Sequence, residues 1–230
     1  MSSETSRIRA DFDRIALLES DHWNHNSHYH DFLLRHVPSH CRRVLEIGCG
    51  TGSFTRRLAQ RSERVLAVDL SPMMIQVAQE RSREFSNIDF QVAEVGPDEF
   101  PAGGFDCIAA IATLHHLPIA ETLSRMKESL NVNGRLVVLD LFQSAPVTKV
   151  FEDALAMPVS IALRLLKDRR IRPSREVREA WKEHEQHDVF PTISEMRQMC
   201  QTILPGAQLR KHLLWRYSIV WTKHQEHIRP

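Results

Sequence analysis

The hydrophobic positions of this chain change rhythm along its length. Over residues 4–38 they recur at helical spacing: Ile8, Phe12, Ile15 and Leu18 share one face, and Phe32, Leu33, Leu34 and Val37 make a second short helix that Pro38 stops. A polar, histidine-rich break, HWNHNSHYH (His22 to His30), separates the two. From Arg42 the apolar residues come in short, nearly continuous runs: RRVLEIG, RVLAVD (Arg64–Asp69), IDFQVAE (Ile88–Glu94), FDCIAAI (Phe105–Ile111) and RLVVLDLF (Arg135–Phe142). Each reads as a strand. The segments between them read as helices over 51–61, 71–83 and 117–130, the second opened by Ser71 as N-cap with Pro72 in its first turn. NVNG reads as a turn before the fifth strand. Strands alternating with helices across short loops predict βαβ units, right-handed crossovers and a parallel sheet covered on both faces.

After Phe142 the alternation stops. Residues 145–188 read as helical, with Pro158 and Pro173 as breaks, and their apolar positions include Val147, Val150, Phe151, Leu155, Ile161, Leu165 and Leu166. An insertion of about 45 residues is too long for a plain connection. Met157, Phe151 and Leu155 are expected in the core rather than around a substrate. Thr192 opens a helix to Leu204 through a capping box with Glu195, and residues 207–223 close as two strands. The chain is expected to be one α/β domain over 1–230. Its parts are an N-terminal helical lid (1–40), a ligand-binding half (41–142), a helical substrate or lid insertion (143–190), and a closing helix with two strands (191–230).

Composition narrows the function without naming it. Thirty basic against 29 acidic residues leave a net charge of +1, which gives no global field for nucleic acid or anionic lipid. No 18-residue apolar run predicts a membrane span, and the N-terminus lacks the apolar core of a secretory signal. Cys41, Cys49, Cys107 and Cys200 lack CxxC spacing and read as thiols of a reducing compartment. A cytoplasmic enzyme, monomer or homodimer, is the expectation, with nucleic acid not expected as a partner.

The chemistry gathers at VLEIGCGTG. Gly48, Gly50 and Gly52 stand at alternate positions between a strand and a helix, where bare backbone N–H groups meet a ligand. A dinucleotide loop, G-x-G-x-x-G, fits loosely, since its third position is Ser53. A triphosphate loop needs G-K-[ST], and no lysine lies between Cys41 and Gln60. Glu46, two positions before Gly48, would repel a pyrophosphate but suits a ligand bearing an ammonium group. Asp69 ends the second strand 17 residues after Gly52, where an acid accepts hydrogen bonds from ribose hydroxyls. Glu94 ends the third, where an acid can meet an adenine amino group.

VLEIGCGTG, VLAVDLSPMMI, FQVAE, FDCIAAIATLHHL and NVNGRLVVLD, in this order over residues 40–142, together resemble a class I S-adenosylmethionine-dependent methyltransferase. Two departures are visible: Val132-Asn133-Gly134 replaces the usual Pro-Gly-Gly turn, and Glu94 the usual Asp. The resemblance implies a Rossmann-like three-layer sandwich with a seven-stranded, mostly parallel sheet whose last strand is antiparallel. It implies that Glu46 and the loop Gly48, Cys49, Gly50 and Gly52 hold the methionine end of S-adenosylmethionine. Asp69 would hold the ribose, Leu70 and Met74 would pack on the adenine, and Glu94 and Val95 would flank it. Ala112 and His115 would lie near the methyl group. An aromatic from the N-terminal lid, Trp23 or Tyr29, would close over the cofactor, with His25 or Asn26 touching substrate.

The acceptor is less legible. The [DN]-P-P-[YFW] signature of amino-nitrogen methylation is replaced by ATLHHL, a segment familiar from small-molecule methyltransferases. The acid ligands of magnesium-dependent catechol methylation are missing too, so no metal is expected. His115 and His116 are the candidate general bases, since histidine titrates near neutrality; the alternative for each is that it caps a helix or packs on the cofactor. His22, His25 and His28 recur every three residues, a spacing that reads first as a polar lid loop. Arg164, Lys167, Arg169, Arg170, Arg172, Arg175 and Arg178 crowd into 15 residues and read first as the solvated face of a lid helix. An anionic-substrate patch or an RNA methyltransferase is the second reading of that run. Trp181 and His184 either line a substrate pocket or pack the lid. A cofactor-binding protein without methyl transfer, or a nicotinamide oxidoreductase, completes the set of alternatives.

Overall fold

The computed structural model describes residues 3–18, 23–96, 99–168 and 174–225, except the side chains of residues 146, 147 and 168. His22, Arg169, Arg170, Arg172 and Pro173 lie outside the described residues, as does the side chain of Val147. Helix α1 (Ser3–Leu18) and the short α2 (His30–Leu34) precede β1 (Cys41–Ile47), α3 (Ser53–Ala59), β2 (Ser62–Asp69), α4 (Pro72–Arg81) and β3 (Ile88–Val92). There follow β4 (Phe105–Ile111), α5 (Ile119–Ser129), β5 (Leu130–Leu141), α6 (Pro146–Asp168), α7 (Arg175–Glu185), α8 (Ile193–Ile203), β6 (Gln208–His212) and β7 (Arg216–Thr222). The strands make one seven-stranded sheet in the order β3-β2-β1-β4-β5-β7-β6. Strands β1 to β5 pair in parallel, and β7 runs antiparallel to both β5 and β6. This is the sheet that the sequence predicts.

Alternate residues of each strand face opposite layers. Leu45 and Ile47 of β1 pack with Leu123 and Met126 of α5 and Met196 and Cys200 of α8. Val44, on the other face, packs with Phe54 and Leu58 of α3 and Leu33 and Leu34 of α2. Glu46 shares the Val44 face and therefore points into the layer of α3. A smaller cluster of Ile15, Ala16, Met74 and Ala180, with Phe12 and Trp181 against it, joins α1 to α4 and α7. Polar bonds fix the same contact: Asp13 Oδ1 accepts from Ser71 Oγ at 2.6 Å and from the Met73 N–H at 3.2 Å. Ser71 itself caps α4, accepting from the Met74 N–H, with Pro72 behind it.

Three local expectations are corrected. NVNG is a bulge inside β5: the pairing with β4 jumps from Phe105↔Leu130 to Cys107↔Arg135. Gly134 is required there, because a Cβ would lie 2.8 Å from the Asn131 carbonyl oxygen. Pro158 does not break the helix; α6 runs through it for 23 residues. The carbonyl left without a donor belongs to Ala154, which is exposed, so water satisfies it. Phe151, Leu155 and Met157 are 69%, 49% and 55% exposed, and Val150, Ile161, Leu165 and Leu166 lie on the same open face, so this helix does not turn its apolar side to the core.

The β6–β7 hairpin turns on Leu214 and Trp215, both in the left-handed region at φ 60° and 57°. Such a turn ordinarily selects Asn and Gly. Here it is held from outside by the Tyr29 hydroxyl, which donates to the Leu213 carbonyl at 2.5 Å, and by the Trp215 indole, which donates to Asp153 at 2.8 Å. Among the described residues no helix is long and apolar enough to cross a membrane. The capping box of α8, Thr192 with Glu195, is formed on an exposed surface. Thr192→Ala is expected to lower the unfolding free energy by about 1 kcal/mol, read from a urea midpoint at unchanged slope.

Candidate active site

A cavity of about 1050 Å³ opens at the carboxyl edge of β1, β2 and β4. Its floor is the glycine loop. Gly48, Gly50 and Gly52 adopt φ 70°, 52° and 77°, the left-handed region that β-carbon sterics disfavour. The N–H groups of Gly48 and Cys49 donate to the Val68 carbonyl at 2.8 and 3.1 Å, which ties the loop to β2. At Gly48 a Cβ would stand 2.0 Å from Thr113 Oγ1, so backbone and side chain touch across the mouths of β1 and β4.

Two buried acids face this floor. Asp69 Oδ2 accepts the Gly50 N–H at 2.8 Å and Oδ1 accepts the Ser71 N–H at 2.9 Å. Burial raises its pKa, and those backbone donors oppose the rise. Glu46 is 2% exposed; burial pushes its pKa up to about 8, against the pull of Thr55 Oγ1, which donates to it at 2.5 Å. Leu70, Met74, Glu94 and Val95 line the cavity beside Asp69, and Cys49 lines the loop. Ala112 also lines it, at φ 50° just beyond β4.

Opposite the loop stands a histidine–carboxylate cluster. His115 Nδ1 lies 2.6 Å from Asp140 Oδ1, and Asp140 also accepts the backbone N–H groups of His115 (3.0 Å) and Leu141 (2.7 Å). With the ring proton on Nδ1 facing that carboxylate, Nε2 is left as an acceptor. His116 has no such anchor: its Nδ1 is 3.7 Å from Asp188, and burial first, then His115 and His184, lowers its pKa to about 2. His184 bridges Asp11 (3.3 Å, through Nδ1) and Asp188 (3.6 Å, through Nε2), while Phe12 packs edge-on against His116, Trp181 and His184. The ligand atoms of His115, His116 and Asp188 lie within 4.8 Å of one another, a spacing that suits a cation, whereas the sequence pointed to no metal. Of the histidine-rich break, His25 is spent on Ser160 Oγ at 2.8 Å, and burial drives its pKa to about 4.

Trp23, His25, Asn26, Trp181 and His184 all reach the cavity, which Arg164, Arg178 and Arg216 also line. The Arg164 guanidinium sits 5.5 Å from the Trp23 ring centre, and Arg175 pairs outward with Glu179. Tyr29 is not brought to the cavity. Its hydroxyl holds Leu213, and its ring packs between His28 and His212. Sequence reasoning assigned no role to Asp140, Asp188, Asp11, Thr55 or Arg216. Asp140 was signalled, being an acid at the end of an apolar strand like Glu46 and Asp69. Arg216 was signalled by a cation in the alternation WRYSIVW. Asp11 carried no signal, since its partner is 173 residues away.

A methyltransferase-domain family model matches residues 44–134, the span from the glycine loop to the β5 bulge. An uncharacterised methyltransferase of Mycobacterium tuberculosis is 32% identical over 205 residues, covering 86% of this chain and 96% of its own. A malonyl-[acyl-carrier protein] O-methyltransferase of a Paenibacillus strain is 40% identical over 102 residues, 41% of this chain and 37% of that one. Among solved structures, the N-methyltransferase NodS of Bradyrhizobium japonicum, in complex with S-adenosyl-L-homocysteine, has a TM-score of 0.62 at 16% identity, over 97% of this chain and 100% of its own. With the fold, the loop and the length of the mycobacterial match together, the chain belongs to the class I S-adenosylmethionine-dependent methyltransferases. The floor of its cavity is sterically tight. Gly48→Ala is expected to cost about 2 kcal/mol of stability, measured by denaturant unfolding, from left-handed strain and the contact with Thr113.

Proposed function

We propose that the protein moves a methyl group from S-adenosylmethionine to a small-molecule acceptor by direct displacement, with His115 as the base. The observation that carries this is the His115–Asp140 pair opening on the same cavity as Glu46 and Asp69. Bound there, the donor supplies an electrophilic methyl on a sulfonium. The residues present fit it. Glu46 is a buried carboxylate with a raised pKa, which an ammonium partner would return to its charged form. Asp69 keeps acceptor capacity for ribose hydroxyls after taking the Gly50 and Ser71 N–H groups. Leu70, Met74 and Val95 offer apolar walls for a base, with Glu94 beside them.

The base has a defined role. Asp140 fixes the His115 ring and supports the imidazolium that forms when Nε2 takes the acceptor's proton. His116, held neutral by burial, packs against it at 3.9 Å between ring centres and keeps that side of the cavity closed. Much of the remaining rate comes from orientation, since donor and acceptor meet in one enclosed space. An O-methyltransferase and an N-methyltransferase both stand among the similar proteins, so the acceptor atom must be sought in this chain's own walls.

The test is transfer of labelled methyl from S-adenosylmethionine to low-molecular-weight components of a cell extract. Transfer is expected, and His115→Ala should cut it about 10²–10⁴-fold while leaving donor affinity unchanged. Tight donor binding with no labelled product and no S-adenosylhomocysteine release sinks the catalytic reading. Asp69→Ala should weaken donor binding sharply in calorimetry, and wild-type affinity in that variant removes the pocket assignment. The raised pKa of Glu46 adds a pH dependence. Below pH 7.5 the ligand's amine is charged and Glu46 is mostly protonated, so binding requires its deprotonation and affinity rises with pH, by up to about tenfold per unit between pH 6 and 7.5. Glu46→Gln should flatten that slope, and an unchanged slope in the variant assigns the dependence elsewhere.

A further inference from the structure

Arg216 is the one buried lysine or arginine among the described residues, 7% exposed, and it lines the cavity. Its guanidinium has five N–H groups in a planar fork. Nε donates to Asn26 Oδ1 at 2.7 Å, and Nη1 faces the Leu214 and Trp215 carbonyls at 3.2 and 3.5 Å. Nη2 makes no hydrogen bond to a described residue, and no described carboxylate oxygen comes within the 4.0 Å of an ion pair. Burial lowers its pKa to about 10, which leaves it charged at neutral pH. Asp140 and Glu185 favour its charge from beyond ion-pair distance, so the Nη2 donors are left for a ligand.

The neighbouring acids are already engaged. Asp140 is taken by the His115 ring and two backbone N–H groups. Glu185 lines the same cavity, where burial and then Asp188 raise its pKa against the pull of His184 and Arg216, and it forms no ion pair with Arg216. Other cations lean the same way: Arg164 lines this end of the cavity, and Arg216 and Arg164 both help keep His25 neutral. Position matters as much as charge. Arg216 pairs with Leu141 at the carboxyl end of β5, the edge of the sheet on which the cavity opens, and it lines that cavity together with His115.

We infer that Arg216 binds an oxyanion of the methyl acceptor, a carboxylate or a phosphate, and so selects anionic small molecules. The inference rests on the methyltransferase reading and names the substrate class of that site. Asn26 is the positioning residue, since its carbonyl oxygen fixes the rotation of the guanidinium through Nε. Arginine suits the task because it stays charged when buried and still offers the Nη2 N–H groups once Nε and Nη1 are engaged.

The test titrates the full chain with benzoate, phenyl phosphate and benzamide, each with and without S-adenosylhomocysteine. At least one anion should bind about tenfold or more tightly than the neutral amide, the loss expected when a charge-assisted pair is absent. Which anion prefers the site separates carboxylate from phosphate. Arg216→Gln should erase the preference, and Arg216→Lys should keep part of it. Equal binding of all three probes, no binding of any, or a preference that survives Arg216→Gln overturns the inference. The wild-type comparison of anion with amide stands even where the Gln variant fails to fold. S-Adenosylhomocysteine binding is read in the same samples: its absence removes the methyltransferase reading and leaves the anion comparison intact.

Discussion

Three carboxylates, Glu46, Asp69 and Asp140, stand at the carboxyl ends of parallel strands with almost no access to water, and the molecule is arranged to make that tolerable. A buried ionisable group without partners costs several kcal/mol, so each must be met locally. Glu46 is met by Thr55 from α3, Asp69 by the Gly50 and Ser71 N–H groups, and Asp140 by the ring and backbone of His115. The three solutions differ in completeness. Asp140 is saturated from within the protein, whereas burial raises the pKa of both Glu46 and Asp69. Glu46 and Asp69 both look onto the glycine floor, so the two carboxyls whose pKa burial raises are gathered at one end of the cavity.

The cover of the cavity depends on a second, weaker set of polar contacts. Helix α1 reaches α4 through Asp13 and α7 through Asp11, while Phe12 between them packs on three rings of the cluster. One turn of an N-terminal helix thereby touches the Ser71 cap beside the glycine floor and the His184–Asp188 pair beside His116. Helix α6 is attached differently, through Ser160 to His25 and Arg164 to Trp23, with its apolar side left open. The walls are thus fastened by few, specific side chains, and the floor by backbone.

The difference between floor and walls explains what could be read in advance. The strand and helix alternation, the capped helices α4 and α8 and the glycine loop follow from periodicity and short-range chemistry, because each depends on residues within a few positions of one another, while the seven-stranded sheet followed from the family resemblance. The walls depend on pairs such as Asn26 with Arg216 and Asp11 with His184, 190 and 173 residues apart, and no local pattern announces them. Of the two lid aromatics that the resemblance offered, Trp23 lines the cavity, while the Tyr29 hydroxyl is taken up by a hairpin carbonyl. Helix α6 shows a limit of hydrophobic patterning. Phe151 and Leu166 have the composition of a core face, yet α6 turns Ala156 and Leu163 to the core and leaves these larger residues exposed.

The Leu214–Trp215 turn has a kinetic meaning. Two bulky residues in left-handed geometry give the hairpin no intrinsic tendency to nucleate, in contrast to turns that form within microseconds. Its closure must await Tyr29 and Asn26 from the first thirty residues and Asp153 from α6. Strands β6 and β7 therefore join the sheet late, after the amino-terminal segment has docked. The hairpin made last in the chain is shaped by contacts with its first thirty residues.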